Sequence, residues 1–360
     1  MRRILLTGAT GFLGMELLVR LMEQTDDHVI ALIRAADDAA AGARLDGVLE
    51  TLFAPHDRPG RDRVRAVTAD LERPGLGLDD ATAEALAAEI DTVVHCAASV
   101  SFALPLEEAR RINVGGTREV LALAARAPGL EQLVHVSTAY VAGDRGGRAF
   151  EHEGDVGQAP RNTYEQTKLE AEQLVLGSGL PAAILRPSIV VGDSRTGWTP
   201  AFNVIYWPLQ GFARGLMTSV AADPDGRVDV VPVDAVADAL LALSQRKGQR
   251  GCFHVVAGDA APTCATLSAM AASAFGRESP PFVPLGHDPA AEETAAVFLP
   301  YFRVQSVFDP GAGAGLTPPI PPLEAYFGQL MDYARVARWG KQPLPRWKRP
   351  ARALRPVAAA

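Results

Sequence analysis

Two residues four positions apart, Tyr164 and Lys168, form the part of this sequence best suited to proton transfer. Residues Thr163–Leu176 have a helical pattern, and a spacing of four places both side chains on one helix face. A tyrosine with a pKa of about 10 exchanges protons poorly at neutral pH, and a nearby ammonium group lowers that pKa. Lys168 is also placed to hold ribose hydroxyls. Because this spacing often occurs by chance, the surrounding fold must support the interpretation.

Two further features place polar groups near this pair. Ser137 and Thr138 follow a predicted strand, Gln132–Val136. Side chains at the carboxyl end of a strand face the ligand cleft of a doubly wound sheet, so a hydroxyl is expected there. Asn113 precedes two glycines inside a helical pattern. This is poor helix chemistry and indicates a local role for the asparagine.

The segment TGATGFLG, which begins at Thr7, predicts a binding site for the phosphates of a dinucleotide. It follows a buried strand and opens a helix, whose first N–H groups and dipole attract anions. The first two glycines allow the backbone to turn and approach a pyrophosphate, and the third allows the helix to pack on the sheet. The expected contacts are Gly8, Thr10, Gly11, Phe12, Leu13 and Gly14.

The end of the second predicted strand indicates which dinucleotide is bound. Arg34 stands where a residue that reads the adenosine ribose is expected. An arginine suits the 2′-phosphate of NADP(H), and Arg44 is a candidate second contact. The third and fourth strands should end beside the same cofactor, with contacts from Asp70, Leu71, Ala97, Ala98 and Ser99. His95 and Cys96, at the fourth strand end, are interpreted as packing residues.

Buried strands alternate with helices through the first half of the chain. This alternation predicts an α/β fold with a doubly wound parallel sheet, covered on both faces and joined by right-handed crossovers. The clearest helices are Phe12–Gln24, Leu106–Ala127 and Thr163–Leu176. The strands are Arg3–Thr7, His28–Ile33, Val64–Ala69, Thr92–Cys96, Gln132–Val136 and Ala182–Leu185, and later Val228–Val233 and Cys252–Val256.

The predicted domains follow from where this alternation weakens. Residues 1–191 are expected to form an NADP-binding Rossmann domain, to which residues 228–257 return. Residues 192–227 and 258–340 are expected to form a smaller, irregular substrate-capping region. Residues 341–360 complete a basic stretch that begins after Asp332 and holds eight basic residues and no acidic one. We interpret this tail as a solvated, frayed end; the alternative is docking to an acidic carrier protein or an anionic membrane surface.

Composition excludes several classes of protein. With 48% hydrophobic and 21% charged residues in 360, the chain is not disordered. A net charge of −7 argues against a general nucleic-acid binder. The sequence has no apolar run of about 18 residues, so no transmembrane segment is predicted. The three cysteines have neither disulfide-framework nor metal-ligand spacing, so a reducing compartment and a cytoplasmic location are expected, with no metal.

Over residues 1–260 the sequence resembles the extended short-chain dehydrogenases/reductases, and among them the thioester reductases and fatty acyl-CoA reductases. The matching segments are TGATGFLG, HCAASVSF, INVGGTREVL, VHVSTAYV, NTYEQTKLEAE, LRPSIVVGDSRTGWTP and VPVDAVADAL. The resemblance implies that Tyr164 is the catalytic acid and Lys168 its partner. Aligning Val141-Ala142-Gly143 with the family's V-Y-G makes Thr138, rather than Ser137, the hydroxyl that polarises the carbonyl. The resemblance also implies that Asn113 holds a proton-relay water and that Pro187 and Ile189 touch the nicotinamide.

The resemblance further implies hydride transfer from NADPH to an acyl thioester, carried by coenzyme A or an acyl carrier protein, to give an aldehyde and, with a second NADPH, an alcohol. No acyl-activating or carrier domain is recognised, so the acyl donor is expected to be a separate molecule. Family members often form homodimers through the helices Leu106–Ala127 and Thr163–Leu176.

Three alternatives remain at this point. The first is an extended reductase of an aldehyde, ketone or β-keto intermediate of lipid or polyketide type. The second is a nucleotide-sugar epimerase or dehydratase, against which Arg34 and the aromatic stretch Trp198–Phe212 argue. The third is a catalytically silent NADP-binding regulator, against which the presence of both Tyr164 and Lys168 argues.

Overall fold

A seven-stranded parallel sheet forms the centre of the molecule, in a computed structural model that describes residues 1–287, 292 and 299–348. The strands are β1 (Arg3–Thr7), β2 (His28–Ile33), β3 (Val64–Thr68), β4 (Thr92–His95), β5 (Gln132–Val136), β6 (Gly147–Ala149), β7 (Ala182–Pro187), β8 (Ile189–Val191), β9 (Val230–Pro232), β10 (Gly251–Val255) and β11 (Ser306–Phe308). The order across the large sheet is β10-β7-β5-β4-β1-β2-β3. Two short sheets pair β11 with β6 and β8 with β9.

Helices cover both faces of the large sheet. Helices α1 (Phe12–Gln24), α2 (Asp38–Leu52) and α8 (Val233–Ser244) pack on one face, and α3 (Asp80–Glu89), α5 (Gly116–Ala125) and α6 (Thr163–Gly177) pack on the other. The remaining helices are α4 (Leu106–Arg110), α7 (Tyr206–Ala213), α9 (Cys264–Phe275) and α10 (Phe327–Val336), of which α7 and α9 pack in a separate apolar core with β8 and β9. Alternate residues of β1 show why both faces are covered: Ile4 and Leu6 join one apolar core, and Leu5 joins the core on the opposite face. The predicted doubly wound fold is confirmed.

The structure differs from the predicted elements in two places. The predicted helix Leu106–Ala127 is divided by a π-helical turn, Arg111–Gly115, which joins α4 to α5. The predicted strand Val228–Val233 is reduced to β9, and it pairs with β8 outside the large sheet. The reason is that the chain leaves the large sheet after Pro187, the last residue of β7, and continues in β8.

The C-terminal segment is bound to the body of the protein as far as it is described. The Leu344 carbonyl accepts hydrogen bonds from the Trp198 indole (3.0 Å) and the Tyr333 hydroxyl (3.2 Å). Arg346 Nε lies 2.7 Å from Glu16 Oε1 on α1, and Trp347 donates to the Glu50 carbonyl on α2. The interpretation of a frayed end is therefore wrong for residues 344–347, which we call the strap. Arg349, Arg352 and Arg355 lie outside the described residues.

Candidate active site

The glycine loop between β1 and α1 is shaped for a dinucleotide. Gly8 has a φ of +78°, and a Cβ there would lie 2.7 Å from the Ala97 backbone nitrogen. A Cβ at Gly14 would collide with the Gly8 carbonyl. Helix α1 starts after Gly11 without a side-chain cap, which leaves its first N–H groups available for an anion. These residues fit the pyrophosphate of a nicotinamide dinucleotide.

One end of the groove beside this loop is a cavity of about 450 Å³, which we call the Arg34 end. Its lining includes ten residues that the sequence predicted as cofactor contacts: Gly8, Thr10, Gly11, Arg34, Arg44, Asp70, Leu71, Ala97, Ala98 and Ser99. The Arg34 side chain is 70% exposed and forms an ion pair with Glu72 at 3.3 Å. Glu72 also pairs with Arg111 at 3.0 Å. Sequence reasoning missed both Glu72 and Arg111.

The other end of the groove is a larger cavity of about 770 Å³, which we call the Tyr164 end. It brings together predicted residues from four separate segments, namely Phe12, Leu13, Gly14, Thr138, Tyr164, Lys168, Pro187 and Ile189. Ser137 lines the same cavity, and its buried hydroxyl has no hydrogen-bond partner within the described residues. Three of the four predicted catalytic residues therefore share one cavity with the predicted nicotinamide contacts, whereas Asn113 does not line it.

The start of α6 positions Tyr164. Asn162 caps this helix, because its side-chain oxygen accepts a hydrogen bond from the Glu165 backbone N–H at 3.0 Å. Tyr164 lines the same cavity as Thr138, whose side chain caps the short helical turn after β5. Burial, and to a smaller degree the charge of Glu165, raises the pKa of Tyr164. The sequence predicts that Lys168 lowers this pKa, but burial outweighs any such effect, so the phenol stays protonated and suits a proton donor.

Lys168 is buried below Tyr164 and is held from β5. Its Nζ donates a hydrogen bond to the Val136 carbonyl at 2.6 Å and lies 3.3 Å from His135 Nε2. Burial lowers the pKa of Lys168 to about 8, opposed mainly by the charge of Glu172. The amine therefore stays mostly charged at neutral pH but titrates just above it.

Asn113 lies in the π-helical turn, which is a common feature of functional sites. Its side-chain oxygen accepts from the Ser99 N–H at 2.8 Å, and its amide donates to the Ser99 carbonyl and to the Thr167 hydroxyl. The asparagine therefore fixes the loop after β4, where the cofactor contacts Ala97–Ser99 are placed. A role in holding a relay water stays a prediction.

An aromatic group covers the Tyr164 end and was missed from the sequence. The Phe102 ring lies 5.7 Å from that of Tyr164 and stacks on Tyr301 at 4.9 Å. The Tyr301 hydroxyl accepts a hydrogen bond from the Asn162 amide at 2.8 Å. Phe102 follows β4 closely enough to have been found, whereas Tyr301 lies in an irregular Pro- and Ala-rich segment without a pattern.

The residues at the end of β4 agree with their interpretation as packing residues. His95 is buried, and both ring nitrogens have hydrogen-bond partners, at Thr7 and Thr117. Burial, with the charge of Lys168, lowers the pKa of His95 to about 3. Burial raises the pKa of Cys96 to about 12, so this thiol is not a nucleophile.

Two absences complete the description of the site. No group of His, Cys, Asp or Glu suited to a metal ion occurs within residues 1–287, 292 and 299–348. In the same part of the chain, no helix is both long and apolar enough to cross a membrane.

The doubly wound sheet, the glycine loop and the Tyr–Lys pair on α6 together define an extended short-chain dehydrogenase/reductase. The model of the Male sterility protein family, an NAD-binding family, matches residues 6–240. The chain belongs to this family, and the cofactor of its groove is a nicotinamide dinucleotide.

Three individual proteins show the range of proteins to which this chain is similar. Fatty acyl-CoA reductase wat of Drosophila melanogaster is 32% identical over 277 residues, which are 66% of this chain and 53% of that protein. Isonitrile lipopeptide synthase of Streptomyces coeruleorubidus is 35% identical over 256 residues, 69% of this chain and 17% of the synthase. The terminal R domain of the myxalamid PKS-NRPS pathway superposes with a TM-score of 0.80, at 28% identity, covering 95% of this chain and 93% of that domain. The chain thus spans only part of the curated relatives it matches.

Proposed function

We propose that this chain is an NADPH-dependent reductase that converts an acyl thioester to an aldehyde. The observation that carries the proposal is the Tyr164 end: Thr138 and Tyr164 line one cavity together with Lys168, Pro187 and Ile189. A fatty acyl-CoA reductase and a terminal R domain are among the proteins similar to this chain, which supports a thioester as substrate.

The residues of the cavity divide the chemistry between them. Thr138 and Tyr164 donate hydrogen bonds to the substrate carbonyl oxygen, where negative charge develops. Bound NADPH supplies a hydride to the carbonyl carbon. Tyr164 then gives its proton to the oxygen, forming a hemithioacetal. When this intermediate collapses, its hydroxyl proton returns to Tyr164, the C–S bond breaks, and the sulfur leaves as a thiol after protonation. Tyr164 is then protonated again and could donate its proton to the aldehyde oxygen in a second reduction to the alcohol, for which a second NADPH would supply the hydride.

Arg34 and Arg44 support NADPH as the cofactor. Both line the Arg34 end, where the adenosine ribose of a dinucleotide is held in this fold. A guanidinium group offers a fork of donors that matches a phosphate. Lys168, with its ammonium below Tyr164, is placed to hold the ribose on the nicotinamide side.

The test measures consumption of NADPH and release of thiol at the same time. The protein is incubated with NADPH and an acyl-CoA, and in parallel with the corresponding free aldehyde, while NADPH absorbance and free thiol are measured. Thiol release that matches NADPH consumption supports thioester reduction. Consumption with the aldehyde alone contradicts the thioester proposal and favours the alternative of an aldehyde or ketone reductase. NADH as the better donor contradicts the assignment of Arg34.

We further propose that the acyl group arrives on an acidic carrier protein that docks at a basic patch of Arg214, Arg277, Arg335 and Arg338. These residues follow or belong to α7, α9 and α10, and all four are exposed. Arg335 lies over the Phe275 ring at 5.1 Å, and Arg277 approaches Gly215, so the ends of the three helices meet. Positive charge on such a surface speeds the encounter with an acidic partner.

Charge reversal separates this docking from binding of the acyl group. Arg214→Glu with Arg277→Glu should raise the KM for a carrier-bound thioester at low salt and leave the KM for acyl-CoA unchanged, because exposed charges act over about 8 Å at physiological ionic strength. Arg246→Glu is the matched control, since this exposed residue lies at the opposite, amino-terminal edge of the sheet. An equal effect on both substrates, or in the control, contradicts docking at the patch.

Two other expectations stay predictions. A homodimer through α4, α5 and α6 can be tested by light scattering during gel filtration. The free thiols of Cys96, Cys252 and Cys264 support the predicted cytoplasmic location, which microscopy of a tagged full-length protein would test.

A further inference from the structure

Two histidines lie side by side in the centre of the large sheet. His95 on β4 and His135 on β5 are paired in register, and their ring centroids are 5.2 Å apart. Both side chains are almost completely buried. Neither has a part in the function proposed above, although His135 comes next to Lys168.

His95 is fully accounted for by its hydrogen bonds. The Thr117 hydroxyl donates to the Asn113 carbonyl at 2.7 Å, so it is free to accept from His95 Nε2–H at 3.1 Å. With the proton on Nε2, Nδ1 accepts from the Thr7 hydroxyl at 2.7 Å, and the Thr7 oxygen also accepts from the Ala97 N–H. This chain of donors and acceptors assigns the Nε2–H tautomer, and His95 thereby ties β1, β4 and α5 together.

His135 is not accounted for in this way. Its Nε2 lies 3.3 Å from Lys168 Nζ, whereas its Nδ1 has no hydrogen-bond partner within the described residues. A buried donor without a partner destabilises a fold, and an aliphatic side chain would pack in a parallel sheet without that cost. The histidine is thus locally unfavourable, and its hydrogen-bond contact is with Lys168.

We infer that His135 is a positioning residue for Lys168: its neutral imidazole accepts a hydrogen bond from Nζ and fixes the ammonium below Tyr164. With the Val136 carbonyl as the other acceptor, two of the three N–H groups of Lys168 are held by β5. The third is left for the cofactor ribose and the tyrosine. The consequence for catalysis rests on the proposed function, whereas the hydrogen bond itself does not.

The charges around Lys168 support this assignment. The groups that face it are Tyr164 and Glu172 on α6, His95 and Cys96 from β4, His135 on β5, and Arg186 on β7, which reaches it through Glu172. Both oxygens of Glu172 are bound by Arg186, at 2.8 and 2.6 Å, whereas the hydrogen bonds of Lys168 Nζ go to His135 and the Val136 carbonyl. Burial lowers the pKa of His135 well below its ordinary value, which keeps the ring neutral and able to accept.

Removal of the His135 acceptor should lower the pKa of Lys168. A hydrogen bond to the ammonium stabilises the charged form, so its loss lowers the pKa of Lys168 further below about 8. His135→Leu fills the strand position without an acceptor. In His135→Gln the amide oxygen stands near the place of Nε2 and restores an acceptor, and in His135→Asn the shorter side chain does not reach it.

The first measurement needs neither substrate nor cofactor. The chain has only four lysines, Lys168, Lys247, Lys341 and Lys348, so lysine labelled with ¹³C at Cε gives a simple NMR spectrum to titrate. Lys168 should titrate about one pH unit lower in His135→Leu and His135→Asn than in the wild type, and His135→Gln should stay close to the wild type. The same pKa in all four proteins would overturn the inference.

The second measurement links the contact to turnover. The basic limb of the pH–rate profile should move to lower pH by about one unit in His135→Leu and be restored in His135→Gln. Thr92→Val, a buried polar-to-apolar change at the amino end of β4, is the control and should leave the limb in place. A uniform loss of rate with an unmoved limb would mean a merely structural role. If the wild type reduces no thioester, the proposed function fails, while the NMR titration still decides the role of His135.

Discussion

The two ends of the cofactor groove are built differently. At the Tyr164 end, Thr138 and Lys168 are buried and hydrogen-bonded to the backbone, and Tyr164 is half-buried beside them. At the Arg34 end, the ion pairs of Glu72 join side chains that are 70% exposed for Arg34 and 57% exposed for Arg111. Water and salt screen the exposed pairs but not the buried contacts. Substitutions should therefore have effects that decrease from one end to the other.

Tyr164→Phe should have the largest effect. The substitution removes the proposed proton donor but keeps the ring between Phe102 and the cavity. Loss of a general acid typically lowers the rate about 10²–10⁴-fold. Binding of NADPH, followed by fluorescence, should be unchanged and serves as the control. A variant that retains more than about a tenth of the wild-type rate would show that another group donates the proton.

The pH dependence of kcat/KM tests the role of the buried Lys168. Lys168 is charged below its pKa of about 8 and neutral above it. If the charge holds the cofactor and supports Tyr164, kcat/KM should fall as the pH rises through about 8, approaching tenfold per unit. In Lys168→Met the rate should be low and this basic limb absent. A wild-type rate that stays constant to pH 10 would argue against a role for the ammonium.

Arg34→Ala tests cofactor binding at the exposed Arg34 end. Loss of a charge-assisted contact to the 2′-phosphate costs about 1.5–3 kcal/mol, or roughly ten- to a hundredfold in NADPH affinity. The ion pair with Glu72 already engages Arg34, so we expect a value near the lower limit. NADH affinity, measured in the same titration, should change little. An equal loss for both cofactors would contradict the assignment.

The residues that the sequence predicted and those it missed differ in how they come together. Gly8, Gly11 and Gly14 are neighbours along the chain, and Tyr164 and Lys168 are one helical turn apart, so local spacing was enough to find them. Tyr301 and Arg346 reach their partners Asn162 and Glu16 across long stretches of chain. No local pattern announces such contacts, because tertiary packing alone creates them. Glu72 was missed for a related reason, since its meaning depends on two arginines from different elements.

The strap tests the contribution of a buried ion pair outside the cofactor groove. Arg346 is mostly buried against Glu16, which is fully buried and also pairs with Arg20 at 2.7 Å. Because Arg20 remains, Arg346→Ala should destabilise the fold by about 1–3 kcal/mol, less than the loss of a sole buried partner. Thermal unfolding measures this, with the exposed Lys341→Ala as the control. An unchanged midpoint for Arg346→Ala would mean that the strap contributes nothing to stability.

Glu72→Gln should have the smallest effect, and its sign opposes that of Arg34→Ala. The Glu72 carboxylate binds Arg34 at 3.3 Å and Arg111 at 3.0 Å, so it competes with a 2′-phosphate for the Arg34 guanidinium group. Exposed ion pairs contribute about 0.2–1 kcal/mol, so freeing Arg34 should tighten NADPH binding by only about 1.4- to fivefold. The gain should shrink as salt rises, and NADH affinity should stay the same. Arg65→Gln, which breaks the Arg65–Glu89 ion pair between β3 and α3, is the control for loss of an exposed pair. Weaker NADPH binding in Glu72→Gln would show instead that the carboxylate orients Arg34 for the phosphate, and the Arg34 end would then be preorganised rather than merely screened.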